Sequence, residues 1–141
     1  MNSTLFLRIA SVIALLFAAG HVRGGTRSWS PLGETEVLHA MRTVPFEAFG
    51  TTRTYLDFYL GFGHTISIFL LLQAVLLFQL GQVAKTDPLR ARPMIASFLL
   101  GAVASAFVAW KFIFFIPTVF SLVLAAALGA ALLLSRREGA G

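Results

Sequence analysis

The chain reads as an all-α protein, a bundle of four transmembrane helices. Both termini are expected to be cytoplasmic, with one long exoplasmic loop between the first two helices. Three observations lead there. Of 141 residues, 57% are hydrophobic and only 12% charged, with a mean hydropathy of +0.83; soluble chains run about 45–50% apolar and about a quarter charged. The apolar residues are gathered into long tracts. One of these, Met94 to Leu134, carries a single charge, Lys111, and is about twice the roughly 20 residues one span requires. A chain of this length makes one integral membrane domain over residues 1–141.

The first tract, Leu5 to Gly20, is broken only by Arg8 and Ser11 and predicts a span over about residues 5–22. Its rival is a signal peptide, with Arg8 as the charged start and Ala18-Ala19-Gly20 as a small-residue cleavage site; a retained helix is the expectation. The second tract, Phe58 to Leu80, is interrupted by His64, Ser67, Gln73 and Gln79 and predicts a span over about 56–81. Met94–Leu134 must fold back as a helical hairpin. The breaks at Lys111 and Pro117 put its turn between Trp110 and Pro117, with spans over about 93–111 and 115–135. Trp110, Phe112, Phe114 and Phe115 then form an interfacial aromatic belt, and Lys111 snorkels at the turn.

Apolarity does not drive helices together in lipid, so close backbone approach has to help. Small residues supply it: Ala10, Ala14 and Ala18 on the first helix, Ser97, Gly101 and Ser105 on the third, Ala125 and Gly129 on the fourth. Residues 23–55 form the loop. Ser30-Pro31-Leu32-Gly33 reads as a turn, and Ser30 or Thr35 caps a short helix running through Met41, with Val37, Leu38 and Met41 as its apolar stripe. Pro45 ends that helix, and Phe46, Phe49 and Gly50 lead back towards the bilayer.

With four spans, Arg8, Lys85, Arg90, Arg92, Arg136 and Arg137 lie in short segments on one side, the segment 81–93 being a loop. Arg23, Arg27, Arg42, Arg53 and Lys111 lie on the other, diluted by Glu34, Glu36 and Glu47. The denser side is cytoplasmic by the positive-inside rule, which predicts a multi-pass protein of the cell's inner membrane. The same topology accounts for the net charge of +5 without nucleic acid as a partner. With no cysteine, disulfides, thiolate metal sites and iron–sulfur clusters are excluded. Gly61-Phe62-Gly63 begins a dinucleotide-binding pattern but lies inside an apolar run.

Ionisable groups within or bordering a span are the strongest functional pointer in such a chain. Arg53, Asp57, Gly61 and His64 open the second span at spacings that keep them on one helical face, which is expected to point inward, shielded from lipid by the other helices. Arg53 and Asp57 form an i,i+4 pair, and Gly61 leaves a hollow between Asp57 and His64. His21 and His64 are each about 24 Å above the cytoplasmic boundary of their helices, at about 1.5 Å per residue. Antiparallel neighbours then bring them to one level, with Glu47 and His39 from the loop above. The candidate catalytic residues are His64, Asp57, His21 and Glu47. The candidate ligand-binding residues are Arg53, Asp57, Tyr59, Gly61, Phe62, His64 and Trp110, with Phe58 and Phe112 as further walls. Plainer roles stand beside these: Arg53–Asp57 as a headgroup anchor, and His21 as a helix-end cap.

The segment Gly50-Thr-Thr-Arg53-Thr-Tyr-Leu-Asp57-Phe58-Tyr59-Leu-Gly61-Phe62-Gly63 resembles the signature of a family of uncharacterised bacterial four-helix membrane proteins. There a G-x-x-R-x-x-x-D-F-Y-x-G-F-G segment opens the second span and the first span often ends in Gly-His, matched here by Gly20-His21. The resemblance implies the four-span layout and nominates the motif residues, but carries no activity. In architecture alone the chain is similar to the sterol-isomerase and sigma-two-receptor group, which encloses a lipid-facing pocket with carboxylates.

The leading functional expectation is therefore a protein that binds a lipid, isoprenoid, sterol-like molecule or quinone near the exoplasmic mouth. Three alternatives stand beside it. One is an isomerase or hydratase in which Asp57 or Glu47 serves as acid and His64 or His21 as base. Another is an accessory subunit or assembly factor whose partner is a membrane protein or a second copy. The last is metal or haem ligation by His21 and His64. No cofactor is otherwise indicated, and membrane lipids are the certain neighbours.

Overall fold

The computed structural model describes residues 2–25 and 32–138. Arg27, Ser30 and Pro31, to which the sequence assigned a basic position, a cap and a turn, lie outside the described residues. The element order is α1 (Ser3–Gly25), α2 (Glu36–Thr43), β1 (Pro45–Ala48), β2 (Thr51–Thr54), α3 (Tyr55–Thr86), α4 (Pro88–Phe112) and α5 (Phe115–Glu138). Four of these helices, α1, α3, α4 and α5, are long and apolar enough to cross a membrane. At 1.5 Å per residue even the shortest spans about 35 Å, against a hydrocarbon core of about 30 Å. Their outward faces carry residues such as Leu16, Phe69, Leu100 and Leu133, all exposed by the chain itself. Such surfaces suit acyl chains rather than water. This is a multi-pass membrane protein.

The contacts divide the chain into two compact units, Met1–Phe17 with Leu70–Gly141, and Ala18–Phe69. The core of the first unit is built mainly from small side chains. Leu7, Ala10 and Ala14 of α1, Ala74, Leu77, Leu80 and Ala84 of α3, Ala91, Ile95 and Ala102 of α4, and Leu124, Ala127, Leu128 and Ala131 of α5 form one buried cluster. Alanine at these positions lets helix backbones approach closely, which replaces the missing hydrophobic drive with dispersion and packing. At Gly81 of α3 the approach is tightest. A Cβ there would stand 3.6 Å from Leu7 Cβ and 3.7 Å from the Thr4 carbonyl. Ser11 Oγ donates to the Ala74 carbonyl at 2.7 Å, so α1 runs antiparallel to α3 in this unit. The Ser3 amide donates to Glu138 at 2.8 Å, and the Ser3 hydroxyl to its second carboxylate oxygen. The start of α1 and the end of α5 therefore meet.

The small-residue faces expected on the first helix are buried, Ala10 and Ala14 completely. Ala125 and Gly129 of α5 are half-buried, and Ala125 packs against the core. The third helix differs: Ser97, Gly101 and Ser105 are exposed, and α4 instead buries Ala91, Ile95, Ala102, Ala106 and Ala109. Both stripes are small enough for close approach. The alanine and isoleucine stripe has the shape to fill the interface with α5, whereas serines can satisfy themselves on their own helix, as Ser97 does by donating to the Pro93 carbonyl.

The expected loop over 81–93 shrinks to one residue. Helix α3 continues to Thr86, Asp87 caps α4 by accepting from the Arg90 amide at 2.9 Å, and Pro88 starts the helix. Proline is favoured at that first position because its missing N–H would be unpaired anyway. Asp-Pro after a helical tract is therefore a start signal, and Lys85, Arg90 and Arg92 sit on helices. The turn between the last two spans falls inside the expected interval, at Ile113 and Phe114. Pro117 lies in the first turn of α5, where it costs no hydrogen bond.

In the second unit, Thr35 caps α2 by accepting from the Leu38 amide at 3.2 Å, as expected, and Leu38 is the buried member of its stripe. Val37 is exposed. Arg42 pairs with Glu34 at 3.3 Å across the surface. The return segment after Pro45 is not irregular: β1 and β2 form an antiparallel hairpin with Pro45 opposite Thr54 and Ala48 opposite Thr51. Thus a two-stranded element interrupts the otherwise helical chain. Its two turn residues, Phe49 (φ 51°) and Gly50 (φ 76°), are both left-handed, as a tight hairpin turn matching strand twist requires. Asn or Gly is the usual first residue there; Phe49 is strained and wholly exposed. Phe49→Asn is expected to raise the thermal midpoint slightly in detergent, and a fall would show that the ring makes a stabilising contact.

Candidate functional site

The residues nominated by the sequence fall mostly in the unit Ala18–Phe69. Thr54 begins α3 as its cap. The Asp57 amide donates to Thr54 Oγ1 at 3.1 Å, while Asp57 Oδ2 accepts from the Thr54 amide at 3.0 Å and the Thr54 hydroxyl at 2.9 Å. This is a reciprocal capping box, which satisfies two amides that a helix start otherwise leaves open. The expected Arg53–Asp57 pair therefore gives way to a local cap, and Arg53 Nη1 donates to the Thr52 carbonyl at 2.7 Å. The cap wins because Thr54 is three residues from Asp57 and rigidly placed, whereas an exposed ion pair must immobilise a long arginine for little gain. Loss of the cap hydroxyl in Thr54→Ala is expected to destabilise the protein by about 1 kcal/mol. Asp57→Ala acts in the same direction, and the double variant falls short of the sum because both remove one motif. Thermal unfolding of the three variants checks this.

An aromatic chain ties the hairpin to the helix start. Phe46 lies 5.0 Å from Tyr55 and 5.7 Å from Phe58 between ring centroids, and Phe58 stands edge-on to Phe62 at 4.8 Å. Phe58, Tyr59 and Phe62 remain substantially exposed. Arg53, Asp57, Gly61 and His64 are exposed as well. The stripe was expected to face inward behind other helices; the chain itself does not enclose it. The physical reason is that the polar groups at its top are satisfied locally by the cap and hairpin. They need no partner helix.

One nominated residue does find a buried partner. His21, near the end of α1 and half-buried, has Nδ1 at 2.9 Å from Ser67 Oγ, and Ser67 donates to the Gly63 carbonyl at 3.1 Å. A hydroxyl has one proton. With it directed to Gly63, Ser67 must accept, so His21 Nδ1 carries the hydrogen and Nε2 keeps its lone pair. His64 lies within electrostatic reach of His21. A Cβ at Gly61 would meet nothing within 4 Å, and the same holds at Gly63; Gly61 is exposed, so this is open surface rather than an enclosed hollow. Thr65 and Ser67 fold back onto the Gly61 and Gly63 carbonyls, at 2.9 and 3.1 Å.

The loop candidates are not joined to this centre. Glu47 lies on β1 opposite Thr52, and His39 lies on α2; both are exposed. Trp110 and Phe112 belong to the other unit, at the end of α4, where Trp110 stands 6.0 Å from Phe107 and Lys111 Nζ lies 5.2 Å from the Phe112 ring. Among the described residues no three His, Asp or Glu side chains gather to hold a metal ion.

Two working residues escaped the sequence reading as site members. Ser67 continues the His64 stripe by one turn, and that spacing was its signal. Thr54 was announced by the Thr-x-x-Asp pattern ahead of an apolar run. No protein-family model, curated protein or solved structure matches this chain.

Proposed function

We propose that the protein binds a small hydrophobic molecule carrying a hydroxyl, such as an isoprenoid alcohol, a sterol-like alcohol or a quinol. The observation that carries this is the bond from His21 Nδ1–H to Ser67, which leaves Nε2 as an acceptor with no hydrogen-bond partner among the described residues. A lone acceptor at membrane depth favours a ligand that brings one donor and is otherwise apolar, because an unmet donor or acceptor in lipid costs several kcal/mol, roughly. The open space over Gly61 and Gly63 admits the ligand head, and Phe58 and Phe62 provide aromatic surface for its body. Its place is a bacterial inner membrane, with both termini cytoplasmic and the His21 site towards the exoplasmic side. In keeping with the motif Gly50–Gly63, we count the chain with the small four-helix proteins it resembles.

The test is thermal unfolding in detergent with farnesol, a short-chain quinol and a sterol. Farnesyl methyl ether, which lacks the donor, serves as control. Stabilisation by an alcohol but not by the ether supports the reading; equal responses to both, or none to any, overturn it.

A second reading, an accessory subunit, is favoured by the exposed Ser97–Gly101–Ser105 stripe of α4, which allows a partner helix to approach closely. Gly101→Leu would then abolish co-purification of a stoichiometric membrane partner without altering the thermal midpoint.

A further inference from the structure

A cleft of about 590 Å³ opens in the unit that contains both chain ends, lined by Asn2, Thr4, Leu5 and Arg8 from the start of α1 and by Lys85 from the last turn of α3. Its construction follows from the tight crossing at Gly81. The Arg8 stem packs there, with Cγ 3.8 Å from where a Gly81 Cβ would stand, and Arg8 lines the cleft. Asn2 uses its carbonyl oxygen to accept from the Leu5 amide at 3.0 Å, which leaves its NH₂ group to donate outward. Arg8, Lys85 and Asn2 therefore bring donor groups to the lining of the cleft.

The charge balance of this unit favours an anion in the cleft. Its two acids both accept at helix starts, Asp87 from the Arg90 amide and Glu138 from the Ser3 amide and hydroxyl, so the cleft sets the two cations Arg8 and Lys85 against the single carboxylate held on Ser3. Neither Arg8 nor Lys85 has an ion-pair partner among the described residues. Arg90, Arg92, Arg136 and Arg137 add to the positive field near the ends of α4 and α5. Leu5 lines the cleft, and Leu5, Ile9 and Val12 are exposed along α1. Two cations and an amide donor beside an apolar helix face match a phosphate group with an acyl chain attached.

We infer that this cleft binds the phosphate of an anionic lipid headgroup, held by Arg8 and Lys85 with the Asn2 amide, and with an acyl chain along α1. This site is independent of the His21 centre. It would also favour the basic end of the bundle lying against an anionic leaflet.

The experiment titrates the delipidated full chain in neutral detergent with dioleoyl phosphatidylglycerol, with dioleoyl phosphatidylcholine and with inorganic phosphate, read by native mass spectrometry. Phosphatidylglycerol is expected to bind more tightly than phosphatidylcholine. Because each basic group near a lipid surface contributes about a factor of five, the double variant R8Q/K85Q should lose about 30-fold in that affinity. The charge-matched R136Q/R137Q, outside the cleft, should lose about three-fold or less by the same screening argument. The charge-conserving R8K/K85R variant should retain binding, and thermal midpoints identify any variant that fails to fold. If inorganic phosphate binds with the same dependence on Arg8 and Lys85, and lipid gains nothing over it, the anion is a free phosphate and the site stands. Equal losses in the two neutralised variants would reduce the effect to diffuse surface charge and overturn the site, as would the absence of any preference among the three probes.

Discussion

His21→Ala is expected to lower affinity for a hydroxyl-bearing ligand about ten-fold or more, the worth of one good hydrogen bond formed away from water. The thermal midpoint of the unliganded protein should change far less, because His21 is only half-buried and its hydrogen-bond partner, Ser67, keeps its own bond to the Gly63 carbonyl. Ser67→Ala tests the origin of the effect. It leaves the imidazole in place but removes the oxygen that holds the proton on Nδ1, so the ring samples both tautomers and binding weakens several-fold. In the double variant Ser67→Ala should cost nothing further, since its only role in binding passes through His21. Titration of the four proteins with farnesol gives the cycle. Additive losses would mean that Ser67 touches the ligand directly, and wild-type affinity in His21→Ala would end the proposal for this centre.

The second large effect concerns assembly. Leu128 is completely buried within a core otherwise dominated by alanine. In a soluble protein its truncation to Ala would cost about 2–5 kcal/mol, from transfer and cavity terms together. Acyl chains solvate leucine as well as the core does, so here mainly the cavity and dispersion part remains, about 2 kcal/mol. Leu128→Ala should therefore unfold at clearly lower denaturant than wild type in a detergent titration, while Leu133→Ala, exposed on the same helix, should not. Equal sensitivity at both positions would show that the interior cluster does not hold the bundle together.

The mixture of legible and hidden features has a common cause. A hydrophobic tract of adequate length must be a helix in lipid because every backbone polar group has to be satisfied within the segment. That constraint acts locally, so composition alone determined the four long apolar helices and the place where Met94–Leu134 folds back. The Thr35 cap was legible for the same reason: its partner is three residues away. So too were the buried alanines of α1, which recur at helical spacing.

Tertiary structure decided what depends on partners far apart in the chain or on competition between equally plausible neighbours. Arg53 and Asp57 have compatible spacing, but Thr54 offers the carboxylate a more rigid partner. Ser97–Gly101–Ser105 and Ala91–Ile95–Ala102 are both suitable packing faces, and only the fit to α5 selects between them. The hairpin at Pro45–Thr54 rests on a left-handed Phe49, a residue that local propensity would not place there. His21 acquires its chemical character from a serine 46 positions away, and Arg8 meets Lys85 only because α1 crosses α3 at Gly81. The bilayer's demand for closed backbone hydrogen bonding set the helices from composition, while side-chain pairing between distant segments set which of their polar groups are left able to bind anything.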